Sequence, residues 1–217
     1  MNRIPHAVAT VAACAALAAA VIAAGDHRGA WAQESTFDLP GEATPVPARP
    51  DIDGVVYNDV WSNRHTDGPV AYDQDPPAGG PHNPTWQSCG FYDVAVPNER
   101  AVHSQEHGAV WITYQPDIAD DDLRTLRQLA KKNPYLLVSS YPGLVHPVVA
   151  SAWGAQLAMD SAADPRLQAF IDFYANSPDG PEFGAPCADS GTAETTPITF
   201  PAGATPLAEP AAATPAA

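Results

Sequence analysis

Apolar and polar positions divide the chain into stretches of different character. Residues 7–24 form a nearly continuous Ala, Val, Leu and Ile run. Between 54 and about 97, apolar residues stand singly among Gly, Pro and Asp. The segments His65-Thr66-Asp67-Gly68-Pro69-Val70 and Pro76-Pro77-Ala78-Gly79-Gly80-Pro81-His82 break any sustained period, so loops, turns and at most short strands are expected there. Regular patterning begins at Asn98. Residues 98–107 fit a short helix, with Asn98 placed as N-cap and Gly108 placed to end it. Residues 109–114 are β-branched and aromatic, as in a strand. Residues 117–132 predict a helix with Asp120, Asp121 and Asp122 at its start, Lys131 and Lys132 at its end, and a buried stripe of Leu123, Leu126 and Leu129. Residues 135–141 and 148–157 predict two further strands flanking the turn signal Pro142-Gly143. Asp164-Pro165 then opens a helix as N-cap and N1, with Leu167, Phe170, Ile171 and Tyr174 facing inward. The order β-α-β-β-α predicts an α+β fold: a single compact domain with a small sheet, two or three helices and a loop-rich N-terminal half.

The ends read differently from the middle. Arg3, the apolar run and Ala30-Trp31-Ala32 have the layout of a signal peptide over residues 1–32, cleaved before Gln33. Val11-Ala12-Ala13-Cys14 resembles a lipobox, but most of the apolar run follows that cysteine, which favours ordinary cleavage over lipidation or a retained anchor. Residues 33–53 carry Pro40, Pro45, Pro47 and Pro50 and read as a disordered linker; the globular domain is expected at 54–187. Residues 188–217, rich in Pro, Ala and Thr, read as a disordered tail. No other stretch is long and apolar enough to be a membrane span, and a secreted or cell-surface location is expected. With 10 basic against 25 acidic residues and a formal net charge of −15, the chain lacks the basic patch that nucleic acid or anionic lipid requires. Any protein partner is left unidentified by the sequence.

Two cysteines remain beyond the leader, Cys89 and Cys187. In an oxidising compartment they are expected to pair; the alternative makes Cys89 a thiolate metal ligand and leaves Cys187 an orphan. The richest chemistry lies in His103-Ser104-Gln105-Glu106-His107. Histidines at i and i+4 share one helix face and can reach one ion, with His82 as a third nitrogen and His65 as a fourth. Imidazole suits copper, zinc, nickel and iron alike, with copper or zinc the expected ion. The same string matches H-x-x-E-H, in which Glu106 would be the general base of a metal-dependent hydrolase. That match is short, a glycine and a strand follow at once, and Glu182 is the only later glutamate before the tail. Each residue also has a plain structural role open to it: His103 donating to a carbonyl, Glu106 pairing with Arg100, His107 closing a helix. Ser104 lacks a nucleophile elbow, Asp73 and Asp75 sit in a Pro-rich loop, His146 in a turn, and Met159 fits packing.

The stretch from His65 to Val70, then Pro76 to Pro84, Trp86-Gln87-Ser88-Cys89-Gly90-Phe91-Tyr92 and Ala101 to Val110, with Tyr141-Pro142-Gly143, Ala152-Trp153-Gly154 and Gly184-Ala185-Pro186-Cys187, resembles the exported proteins grouped as DUF3105 and common in actinobacteria. The resemblance spans nearly the whole expected domain. It implies export and a Cys89–Cys187 disulfide, and it implies no activity. Gln105 stands where Leu is commoner in that family. Three functions therefore follow as expectations: an exported metal-binding protein using His103, His107 and His82 with His65 or Glu106; a metal-dependent hydrolase; or a disulfide-stapled interaction domain without metal.

Overall fold

The computed structural model describes residues 49–178, 180–195, 197, 198 and 202. The expected signal peptide over residues 1–32, and most of the expected linker and tail, lie outside the described residues. Among the described residues, three helices and one six-stranded mixed sheet make an α+β domain. In chain order the elements are β1 (Val55–Tyr57), β2 (Gly90–Tyr92), α1 (Asn98–Glu106), β3 (Val110–Tyr114), α2 (Asp120–Lys132), β4 (Leu136–Ser140), β5 (Val148–Ala152), β6 (Ala155–Met159) and α3 (Pro165–Tyr174). The strands lie in the order β1-β6-β5-β3-β4-β2. β3 and β4 run parallel through the α2 crossover, β2 adds parallel to β4, and the β3/β5, β5/β6 and β1/β6 pairs are antiparallel.

Alternation along the strands sorts the core into two faces. Val110, Ile112 and Tyr114 of β3, with Leu136, Val138, Val148 and Ala150, pack against Leu126 of α2 and against Leu167, Phe170 and Ile171 of α3. The intervening Trp111 and Leu137 pack instead with Ala101 of α1 and Val96. Helix α1 thus covers the face opposite to α2 and α3. This second face is partly polar, and its groups are satisfied internally: the Trp111 indole donates to Ser139 at 3.0 Å, and Gln156 donates to Ser151 and to the Pro76 carbonyl, each at 2.9 Å. Burying such groups without partners would cost more than the burial returns. The Gly/Pro-rich half of the chain therefore earns its place as a source of carbonyls over this face.

Several sequence expectations are revised. The strand expected over residues 148–157 is two strands, because Gly154, at φ +73°, turns the chain back and makes a β5–β6 hairpin. Asn98 is not the N-cap of α1. Pro97 holds that position in extended backbone, and the Asn98 amide donates to the Tyr141 hydroxyl at 3.2 Å. α2 starts at Asp120 rather than 117, since Ile118 closes a turn onto the Gln115 carbonyl. There Asp122 accepts from the Ser161 hydroxyl and the Ala162 amide, fixing the approach to α3. Asp164 does cap α3, accepting from the Arg166 amide, with Pro165 following it.

Cys89 and Cys187 form a disulfide across a sequence separation of 98. The domain's contacts continue past it: Thr192 bridges Gln87, its amide donates to the Trp86 carbonyl, and its own carbonyl accepts from Ser88. Gly191 lies so close to the Trp86 indole that a Cβ there would sit 2.5 Å from a ring atom. Closing a loop of this length is worth about 4 to 5 kcal/mol in the chain-entropy account. Cys89→Ser/Cys187→Ser should accordingly lower the denaturant midpoint well beyond the effect of an exposed substitution; an unchanged midpoint would show that the second-face contacts alone hold the closing segment.

Candidate functional site

α1 is short and buried along its second half, where Ala101 to Glu106 are all shielded from solvent. Positions three apart on a helix share a face, which puts His103 and Glu106 side by side, aimed at the loop half of the chain. That half supplies the rest. His65 and His82 are joined as an isolated parallel bridge: the Thr66 amide donates to the His82 carbonyl at 2.8 Å and the His82 amide to the Arg64 carbonyl at 3.1 Å. The imidazoles of His65, His82 and His103 form a triangle with ring centroids 4.7 to 5.0 Å apart. His82 is 0 %, Glu106 1 % and His103 3 % exposed, whereas the His65 side chain is 48 % exposed and forms the solvent edge.

The hydrogen bonds decide which nitrogens are free. His82 Nδ1 lies 2.8 Å from the Gly80 carbonyl and His103 Nδ1 2.7 Å from the Asn83 carbonyl. A carbonyl only accepts, so both Nδ1 atoms carry the proton and both Nε2 atoms present a lone pair when the ring is neutral. Those Nε2 atoms face Glu106. Its Oε2 lies 2.8 Å from His82 Nε2, 3.7 Å from His65 Nε2 and 4.0 Å from His103 Nε2, while Oε1 accepts from the Asn63 amide at 3.0 Å. Despite their proximity, neither His82 Nε2 nor Glu106 Oε2 has a hydrogen bond of acceptable direction. Two buried acceptors facing each other repel unless a proton or a metal ion lies between them. An ion with bonds of about 2.0 to 2.2 Å spaces its ligand atoms roughly 3.3 Å apart at the tetrahedral angle and up to about 4 Å at wider angles. The 3.7 and 4.0 Å separations from His65 and His103 fall in that range, and the 2.8 Å separation from His82 is shorter than it.

Electrostatics act in the same direction. Burial, together with the neighbouring His82, His107 and His65, pushes the His103 imidazole down to about 4, against the opposing pull of the Asn83 carbonyl. It is therefore neutral near pH 7. Burial alone would raise the Glu106 carboxyl, but contact with His82, the Asn63 hydrogen bond and the nearby His103 outweigh it and hold the group below its ordinary value. Aromatic rings wall the cluster, Trp153 edge-on to His82 and Trp86 beside His103 and His107.

His65, His82, His103 and Glu106 thus offer four ligand atoms within 4.8 Å of one another. His107 is not among them. It sits at the C-cap of α1, with Nδ1 on the Pro186 carbonyl at 2.9 Å and Nε2 3.3 Å from Glu182, and groups with His103 and Glu182. Arg100 pairs with Glu194 rather than Glu106. Ser104 donates to the Gln87 carbonyl, Asp75 accepts from Tyr141, and Met159 is core. Sequence reasoning did not assign Asn63, for which no motif signals, or Glu182, which only the downstream acid expected after H-x-x-E-H could have marked.

Fold and cluster together define a disulfide-linked α+β domain with a buried His/Glu group. Residues 64–189 match the family described as "Protein of unknown function (DUF3105)", and the chain belongs to that family. No curated protein and no solved structure is recognisably similar to it.

The fold favours neutral His103, so that contribution to stability is complete above the ordinary pKa of 6.5 and is lost as pH falls toward about 4. Glu106, favoured as the carboxylate, adds a loss below its ordinary value of 4.5. Chelator-treated protein should therefore show a melting temperature that declines from pH 7 to pH 4; a flat profile would mean that the cluster is not held as described.

Proposed function

We propose that this is an exported metal-binding protein whose inner site, His65, His82, His103 and Glu106, holds one first-row transition ion, copper or zinc. The observation that carries the reading is the pair of backbone-anchored imidazoles, His82 and His103, whose remaining lone pairs meet a buried carboxylate. Anchoring of the second nitrogen is how metal-bound histidines are commonly oriented. A shared proton would relieve the His82/Glu106 contact alone; an ion relieves it and also gives His65 and His103 a reason to converge. The acidic net charge favours cation capture over binding of polyanions. Export is supported by the leader-like residues 1–32, by the disulfide, and by the absence, among the described residues, of a helix long and apolar enough to cross a membrane. The segments 1–32, 33–53 and 188–217 are taken as signal peptide, linker and tail in this reading, with the tail's first residues docked on Trp86.

The hydrolase reading has less support. Its general base would be Glu106, yet both oxygens of that carboxylate are directed at Asn63 and the histidines. A cleft of about 360 Å³ on the domain is lined by Arg49, Tyr57, Asn58, Trp153, Phe173 and Tyr174, among other residues, and by none of the four proposed ligands. A binding role asks for no substrate cavity beside the ion.

Mature protein purified without chelator should carry one tightly held equivalent of a single metal by plasma mass spectrometry. His82→Ala and Glu106→Gln should each lose it while keeping the disulfide and the far-ultraviolet circular dichroism of the parent. Full retention of metal in both variants would remove the inner site as its location.

A further inference from the structure

His107 lies outside the inner quartet, but it is prepared in the same way. Its Nδ1 is committed to the Pro186 carbonyl at 2.9 Å, and its Nε2 lies 3.3 Å from Glu182 Oε2. The His107 side chain is buried, whereas that of Glu182 is 48 % exposed. Glu182 is nevertheless positioned, because its own amide donates to the Glu106 carbonyl at 3.1 Å and the Ala185 amide donates to its carbonyl at 3.0 Å. Cys187, five residues after Glu182, is bonded to Cys89. His103, His107 and Glu182 offer ligand atoms within 4.8 Å of one another. Two imidazoles and one carboxylate are a sufficient protein ligand set for a transition ion that completes its shell with solvent.

His103 belongs to both groups, yet its Nδ1 is spent on Asn83. Only Nε2 remains, and one lone pair serves one ion at a time. Filling both groups at once therefore requires a division: His65, His82 and Glu106 on one side, His103, His107 and Glu182 on the other. Each half is then a three-ligand set with a carboxylate that offsets part of the ion's charge. The halves differ in access to solvent, the first edged by His65 and the second by Glu182.

We propose that His103, His107 and Glu182 form a second, outer site for a first-row transition ion, filled after the inner site and drawing His103 away from it. The proposal rests on the inner-site reading for its order of filling, but its ligands His107 and Glu182 are separate from that site. The test is a titration of the full-length mature, oxidised protein with Cu²⁺, followed by calorimetry and by quenching of tryptophan fluorescence. Trp86 is a local reporter, with its ring centroid 4.8 Å from that of His107. The parent should take up two equivalents in resolved steps. Glu182→Ala, a change at an exposed side chain, should keep the first step and lose the second; His107→Ala should do the same, and His82→Ala should lose the tighter step. One equivalent in the parent, unchanged in affinity in Glu182→Ala, would overturn the outer site and leave the inner one standing. One equivalent that survives His82→Ala but not Glu182→Ala would keep the outer site and remove the inner. No uptake by the parent would remove both.

Discussion

The site depends on how a histidine spends its two nitrogens. An imidazole that donates Nδ1–H to a fixed backbone carbonyl has its ring plane set and a single lone pair aimed in one direction. His82, His103 and His107 all make that commitment, to the carbonyls of Gly80, Asn83 and Pro186. Two of these carbonyls belong to the loop half of the chain and the third to the segment just before Cys187. The irregular structure is thus what orients the rings. A helix could have supplied the spacing of His103 and Glu106, but its own carbonyls are occupied within the helix and could not have served as the acceptors.

The sheet explains why those loops hold still. Its first face is an ordinary apolar core between strands and α2 and α3. Its second face mixes Trp111 and Leu137 with Ser139, Ser151 and Gln156, and it needs acceptors from above. The Pro76 carbonyl accepts from Gln156 and the Pro77 carbonyl from Gln105. These bonds tether the chain just ahead of His82 to both the sheet and α1. Packing and site geometry therefore share the same few residues, and a substitution at Gln105 or Gln156 would be felt in both.

Much of this was legible in the sequence where periodicity existed. The stripe of α2, the Asp164-Pro165 start of α3 and strands β3 and β4 follow from local pattern. The hairpin β5–β6 did not separate, because a run of small and apolar residues looks continuous until one asks what Gly154 does to it. His103 and His107 were candidates from their spacing and His82 and His65 from residue type, but the placing of His107 with Glu182 rather than with His65 and His82 was not readable. His107 still shares a face with His103, their ring centroids 4.7 Å apart, but its Nδ1 is held by the Pro186 carbonyl and its Nε2 lies toward Glu182. Glu182 and Asn63 reach the site through tertiary contacts across long separations, which a one-dimensional pattern does not encode.

The residues of the proposed site also have an order in time. His65, His82, His103 and Glu106 occur in one early stretch of the chain, before β3 and the rest of the sheet except its two three-residue strands. Glu182, Pro186 and Cys187 come near the end of the domain. A chain delivered N-terminus first presents the four grouped residues while most of the sheet is still to come, and the partner of Cys89 only after the sheet is complete. The segment from Glu182 to Cys187 closes the wall beside His107, so it acts as a late latch on a cluster whose members were already present.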